Sequence, residues 1–340
     1  MILEFRILHL HKRFPLRISR GEITGSDNLF VSVTEDGVTG WGEMAPGPTE
    51  GADTPEEGRR MLVDFDGLDP SIHRTWANMR AAGIAPCAMA ALDMALWDLR
   101  AKQAGMPLYR LLGLAREAVV SSVTVGINPP EVVRERVPLL LDRGAKALKI
   151  KLGSPEGIEA DKAMFAAVVE TARGATLRVD ANGGWSLDDA RHMMGWLAER
   201  GAEYIEQPLV RGAEDQLPDL FRDRALPIFV DESCRMSQDI PGFADCVDGV
   251  NLKLMKCGGI TEALRIVATA RAFGLKTMIG CMGESSVAIA AGASLGALFD
   301  YIDLDSHLNL DPDPATGAPF AQGVTLPEDH PGHGGAPKNA

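Results

Sequence analysis

The sequence predicts an α/β protein, a barrel of the (β/α) type preceded by an α+β unit, on three observations. After Gly113 short apolar strands recur, each followed by a helical stretch. Charged residues gather at the C-terminal ends of those strands, where barrels of this kind keep their catalytic groups. Before Gly113 the chain alternates and turns, then becomes helical. A doubly wound open sheet would give a similar alternation of strands and helices, but no Gly-x-Gly-x-x-Gly follows the first strand.

The 340 residues are enough for one large barrel and an additional unit. Apolar content of 46% and charged content of 24% are those of an ordinary globular protein. No apolar run reaches the roughly 18 residues of a membrane span, and Met1 to Ser19 lacks a signal-peptide core, so a cytoplasmic protein without a membrane partner is expected. The net charge of −13 argues against nucleic acid as a partner. Five cysteines without a Cys-x-x-Cys pair read as reduced packing residues.

In the first unit, residues 1–115, Leu29 to Val33 reads as a strand entering a hairpin and Val38 to Glu43 as its return; Pro15 to Gly21 reads as a loop, as does the stretch from Pro46 to Pro55. Helical periodicity is strongest from Pro86 to Ala104, where Met89, Leu92, Leu96 and Leu99 fall at three- and four-residue steps before Gly105 and Pro107 stop it. The barrel, residues 116–309, is expected to take its eight strands from Val119–Gly126, Ala147–Gly153, Leu177–Gly183, Tyr204–Leu209, Ile228–Ser233, Gly249–Leu254, Lys276–Met282 and Tyr301–Asp305. Residues 310–340, rich in Pro, Gly and Asp, are expected to return to the first unit.

The second strand carries two lysines in an apolar run. Alternate residues of a strand share a face, so Lys149 and Lys151 lie together, opposite Leu148, Ile150 and Leu152. Crowding and partial burial favour loss of a proton from one of them, which suits a general base. The third, fourth and fifth strands end in Asp180, Glu206 and Asp231. Three converging carboxylates with no compensating lysine between them are costly unless a cation is bound, and hard oxygen ligands suit Mg²⁺ or Mn²⁺. Glu232 points away from Asp231, whereas Asn182 shares the face of Asp180 and supports it. Lys253 on the sixth strand stands across the mouth from Lys151, and Asp303 and Asp305 share a face of the eighth.

Taken together, Gly40-Trp41-Gly42-Glu43, the helix Ala90 to Leu99, Lys149-Ile150-Lys151, Asp180-Ala181-Asn182, Ile205 to Pro208, Asp231-Glu232-Ser233 and Asn251 to Gly259 resemble the enolase superfamily over essentially the whole chain, in its muconate-lactonizing branch. The resemblance implies a modified (β/α)7β TIM-type barrel under an N-terminal α+β capping domain. It also implies Mg²⁺ on Asp180, Glu206 and Asp231, with Lys151 and Lys253 as paired acid and base. The histidine-using mandelate racemase branch is disfavoured, because Gly280 to Ser285 holds no histidine.

Asp303-Leu304-Asp305 and Gly280-Cys281-Met282 look most like the dipeptide epimerases, of the L-Ala-D/L-Glu epimerase kind. By that likeness Asp303 and Asp305 hold the ammonium of a dipeptide, Arg20 or else Arg17 meets a side-chain carboxylate, and Thr124 touches substrate. Lys149, on the same face but deeper, is expected to support Lys151 as a neighbouring cation. The expected reaction is inversion of the C-terminal residue's α-carbon through an enolate, by an isomerase that is a homo-oligomer. Gly283, where a larger residue is expected, leaves room for a different side chain, and His307 and Asn309 also depart from the pattern. The alternatives are an N-acylamino acid racemase, o-succinylbenzoate synthase or, more remotely, a cycloisomerase. A metal-binding barrel without turnover is the reading outside enzymes.

Overall fold

A computed structural model describes residues 1–339. The chain opens with an antiparallel sheet of β1 (Ile2–Ile18), β2 (Gly21–Glu35) and β3 (Val38–Met44) in the order β1-β2-β3. Pro15 to Gly21 is therefore not the loop its Pro and Gly suggest. Leu16 pairs with Ile23, Arg17 with Glu22 and Ile18 with Gly21, so only Ser19 and Arg20 make the turn. The register breaks between His11 and Leu16, and Pro15 falls in that irregularity, where its missing N–H costs no ladder bond.

Helices α1 (Pro55–Val63) and α3 (Pro86–Gln103) pack on this sheet, α2 (Ile72–Ala81) packs against α3, and α4 (Leu108–Leu111) follows α3. Helix α3 is buried nearly all round, as its small and apolar residues allow. Strand β3 lies directly against it. A Cβ added at Gly40 or Gly42 would collide with the carbonyl oxygens of Ala95 and Ala91, which is why glycine alternates there.

The eight barrel strands are β4 (Ser122–Val125), β5 (Ala147–Lys151), β6 (Thr176–Asp180), β7 (Ala202–Glu206), β8 (Ile228–Val230), β9 (Gly249–Lys253), β10 (Lys276–Gly280) and β11 (Tyr301–Asp303). They pair in parallel in sequence order, and a bridge between Ser121 and Ile302 brings the last strand against the first. Six connections carry α-helices: α5 (Pro130–Asp142), α6 (Ile158–Thr171), α7 (Leu187–Ala198), α8 (Leu217–Phe221), the pair α9 (Leu254–Cys257) and α10 (Ile260–Ala272), and α11 (Ser286–Ala293). A 3₁₀ turn, Ser237–Gly242, replaces the helix after β8, and no α-helix follows β11, which gives the (β/α)7β form.

Buried polar groups join the cap to the barrel mouth. Glu43 accepts from the backbone of Ser285 at 2.9 Å and Ala288 at 3.1 Å, and Trp76 donates to the carbonyl of Gly258 at 2.9 Å. The C-terminal segment runs back along the cap, where Leu108 donates to the carbonyl of Gly332 at 2.7 Å and His333 to Asp98 at 2.8 Å. No described helix is long and apolar enough to cross a membrane.

Candidate active site

Asp180, Glu206 and Lys253 are each the last residue of a strand, and Asp231 follows β8 directly, so the barrel itself sets them in a ring. Ligand oxygens of Asp180, Glu206 and Asp231 lie within 4.8 Å of one another, and all three residues are fully buried. The expectation that no lysine compensates them is corrected by the structure. Lys149 Nζ lies 2.6 Å from Glu206 and 3.3 Å from Asp180, Lys151 Nζ 2.6 Å from Asp180, and Lys253 Nζ 2.8 Å from Asp231. Lys256, buried just beyond β9, also pairs with Asp231 and donates to the carbonyls of Cys234 and Asn251.

These ion pairs fix the charges. Burial alone would raise Asp180, but Lys151 and Lys149 outweigh it and hold the carboxyl below its ordinary range. Lys253 and Lys256 do the same for Asp231. Glu206 goes the other way: burial and the charge of Asp180 push it up to about 8, against the pull of Lys149. Despite its burial, Lys149 is held well above the usual lysine range by Asp303, Glu206 and Asp180, so it is a fixed cation at the base of the ring.

The donor set fits a hard divalent cation. Glu206 Oε2 and Asp231 Oδ2 lie within ion-pair distance of lysines yet receive no well-directed hydrogen bond, and a carboxyl that holds its proton to about 8 is one short of positive charge. Around the ligands, Asn251 donates to Glu206 at 2.8 Å, and Asn182 donates to Asp180 from its backbone at 2.8 Å and its side chain at 3.2 Å. Asn182 takes φ of 45°, a left-handed turn that asparagine tolerates, and so doubles back on the carboxylate it supports.

Two adjoining clefts open between cap and barrel and share Arg20, Asn182 and Met282. One is lined by Lys151, Lys253, Thr124, Asp305 and Gly283; the other reaches Asp231, Glu232 and Lys256. Thr124 donates its backbone N–H to Asp305 at 2.6 Å. Asp303 sits deeper, 2.7 Å from Lys149 through one oxygen, while its buried Oδ1 has no partner. Arg20, at the hairpin turn, pairs with Glu232 at 2.8 Å and donates to the carbonyl of Asn182 at 3.0 Å; Arg17 pairs instead with Glu156 at 2.6 Å. Gly283 leaves its space open, since an added Cβ would come no nearer than 3.4 Å to Ser26 and 3.9 Å to Lys12 Nζ.

The sequence reading assigned no site role to Lys256, Asn251 or Lys12. Lys12 was findable by the argument applied to Lys149, because it continues the inward face of β1 after Leu8 and Leu10.

Comparison with known proteins adds the following. Residues 2–113 match the mandelate racemase / muconate lactonizing enzyme N-terminal domain model, and residues 132–340 the enolase C-terminal domain-like model. A hydrophobic dipeptide epimerase of Roseobacter litoralis is 79% identical over 344 residues, covering 100% of both chains. A hydrophobic dipeptide epimerase of a Flavobacteria bacterium is 60% identical, over 97% of this chain and 96% of its own. Among solved structures, the dipeptide epimerase of Enterococcus faecalis complexed with Mg and L-Leu-L-Tyr is 34% identical, with a TM-score of 0.90 and 98% of each chain covered.

Proposed function

The chain belongs to the mandelate racemase / muconate lactonizing enzyme family of the enolase superfamily, and from that premise we propose that it is a Mg²⁺-dependent dipeptide epimerase, an isomerase that inverts the α-carbon of a dipeptide's C-terminal residue. The observation that carries this reading is the pair Lys151 and Lys253. They stand on β5 and β9, four strands apart in a ring of eight, and both face one cleft.

Two bases on opposite sides of a carbon are what inversion by proton transfer requires. Lys151 removes the α-proton from one face, and Lys253 supplies a proton to the other. Each lysine lies beside a carboxylate of the ring, which holds its amine in place toward the cleft. Asp180, Glu206 and Asp231 would hold Mg²⁺, which when bound stabilises the negative charge that develops on the substrate carboxylate. Lys149 remains protonated beneath them and adds a fixed positive field. Asp305, oriented by the backbone of Thr124, accepts from the dipeptide's ammonium, and the unpartnered Oδ1 of Asp303 offers a second acceptor.

A hydrophobic side chain on the inverted residue fits this cleft better than a glutamate. The hairpin of β1 and β2 presents Phe14, Leu16, Ile18 and Ile23 to it, and Arg20, the cation expected for an acidic side chain, is already paired with Glu232. The two relatives named for hydrophobic dipeptides support the same choice.

The test is α-deuteron incorporation from D₂O, followed by mass spectrometry with Mg²⁺ present, over L-Ala-L-Leu, L-Ala-L-Phe, L-Ala-L-Glu and a matched set of N-acetyl and N-succinyl amino acids. Exchange in the Leu and Phe dipeptides ahead of the Glu dipeptide, and its loss in EDTA, is the expected result. Exchange confined to the acylated set would overturn the reading.

A further inference from the structure

Lys12 is 6% exposed and lines the cleft that holds Lys151, Lys253 and Asp305, yet it belongs to none of the ion pairs that neutralise the other buried lysines there. Among the described residues its Nζ has no carboxylate within ion-pair distance and no hydrogen-bond acceptor; Asp305 is felt only as a charge at longer range. An ammonium in that state is costly, because burial of the residue leaves it little water and no protein acceptor makes up the loss. Burial accordingly draws Lys12 below the ordinary lysine range, with Cys281 and Asp305 pulling the other way. The space Gly283 leaves by having no side chain adjoins Lys12, 3.9 Å from the ammonium measured from the Cβ that glycine lacks.

On the epimerase reading above, the dipeptide's ammonium is at Asp305, in the same cleft as Gly283 and Lys12, which places that wall within reach of the side chain of its N-terminal residue. We propose that Lys12 reads this side chain and selects dipeptides whose N-terminal residue is acidic, its β- or γ-carboxylate accepting from Nζ in the space above Gly283. The cleft then has two selective walls. The apolar strand ends of the hairpin receive the residue that is inverted, and Lys12 on the same strand receives its neighbour. The inference rests on the proposed epimerase reaction and adds the class of N-terminal residue to it.

The experiment compares kcat/KM for L-Asp-L-Leu against L-Asn-L-Leu and for L-Glu-L-Leu against L-Gln-L-Leu, pairs alike in shape and different in charge, in the unmodified enzyme, Lys12→Met and Lys12→Arg. One charge-assisted hydrogen bond predicts an acid-over-amide preference of about ten-fold or more in at least one pair. It should fall to about two-fold or less in Lys12→Met and recover in Lys12→Arg. The ratio is internal to each variant, so a general loss of activity cannot imitate its collapse. Absence of a preference in both pairs, or its survival in Lys12→Met, would overturn the role of Lys12 while exchange with L-Ala-L-Leu left the epimerase reading standing. No exchange with any dipeptide would overturn both.

Discussion

Lys151 and Lys253 each pair with a carboxylate that a second lysine also holds. Asp180 keeps Lys149 if Lys151 is removed, and Asp231 keeps Lys256 if Lys253 is removed. Truncating either lysine therefore leaves no buried carboxylate without a cation, and the variants should fold. Their chemistry should split by stereochemistry. Lys253→Met should still exchange the α-proton of the epimer that faces Lys151 and fail on the other; Lys151→Met should show the reverse. Epimerisation itself should drop by roughly 10³-fold or more in both. Proton NMR of each epimer in D₂O reads this directly, and equal loss of exchange from both epimers in both variants would rule out the one-lysine-per-face arrangement. This much was legible from alternation, since a strand's inward face can be read two residues at a time, as Lys149 and Lys151 or Asp303 and Asp305 show. The pairing of Lys256 with Asp231 was not, because it depends on how the short helix α9 turns back beneath β8, which no local pattern encodes.

At the scale of elements, the barrel strands were legible because six of the eight combine an apolar run with a charged end, and buried parallel strands carry both signals close together. The hairpin of β1 and β2 was misread at Pro15 to Gly21, where proline and glycine mark a bulge and a tight turn inside continuous strands rather than a loop. That error matters, because the extended hairpin is what carries Leu16, Ile18 and Arg20 over the cleft. The motif Gly40-Trp41-Gly42-Glu43 was visible in the sequence, but its reason was not. Its glycines admit the backbone of α3, while Trp41 packs with Val287, Leu310 and Ala315 and Glu43 accepts from the backbone of Ser285. Gly42→Ala must push β3 off α3, since the obstacle is the carbonyl oxygen of Ala91 and not a mobile side chain. A loss of about 1–3 kcal/mol is expected in urea unfolding, the ordinary cost of overpacking. An unchanged midpoint and slope would show that the strand and helix are not in the close register described.

For the molecule as a whole, the joint between cap and barrel is built from carboxyl groups buried without cations, and this makes its stability depend on pH. Asp93, on α3, accepts from Thr261 of α10 through both its backbone N–H at 2.9 Å and its hydroxyl at 2.6 Å, so it ties the two units directly. Burial raises it to about 7 even though those hydrogen bonds oppose the shift. Its unfolded counterpart titrates near 3.8, so between the two values the unfolded chain binds fewer protons than the native one. Stability from this group is therefore fully present below the unfolded pKa and is lost as pH rises toward about 7. Glu284, raised by burial to about 8, contributes with the same sign. His333 acts oppositely: burial lowers it, so its contribution is present above the ordinary histidine range and is lost as pH falls. Asp93→Asn isolates one group from this sum, since the amide oxygen can still accept from the Thr261 backbone and the threonine hydroxyl can turn to accept from the amide nitrogen. A shift of about three pKa units corresponds to roughly 4 kcal/mol. The variant should thus gain on the unmodified protein by up to about that amount between about pH 4 and pH 8 in urea unfolding. Parallel stability curves across that range would mean that Asp93 enters the joint already ionised, and that the cap is held by charge rather than by a buried acid.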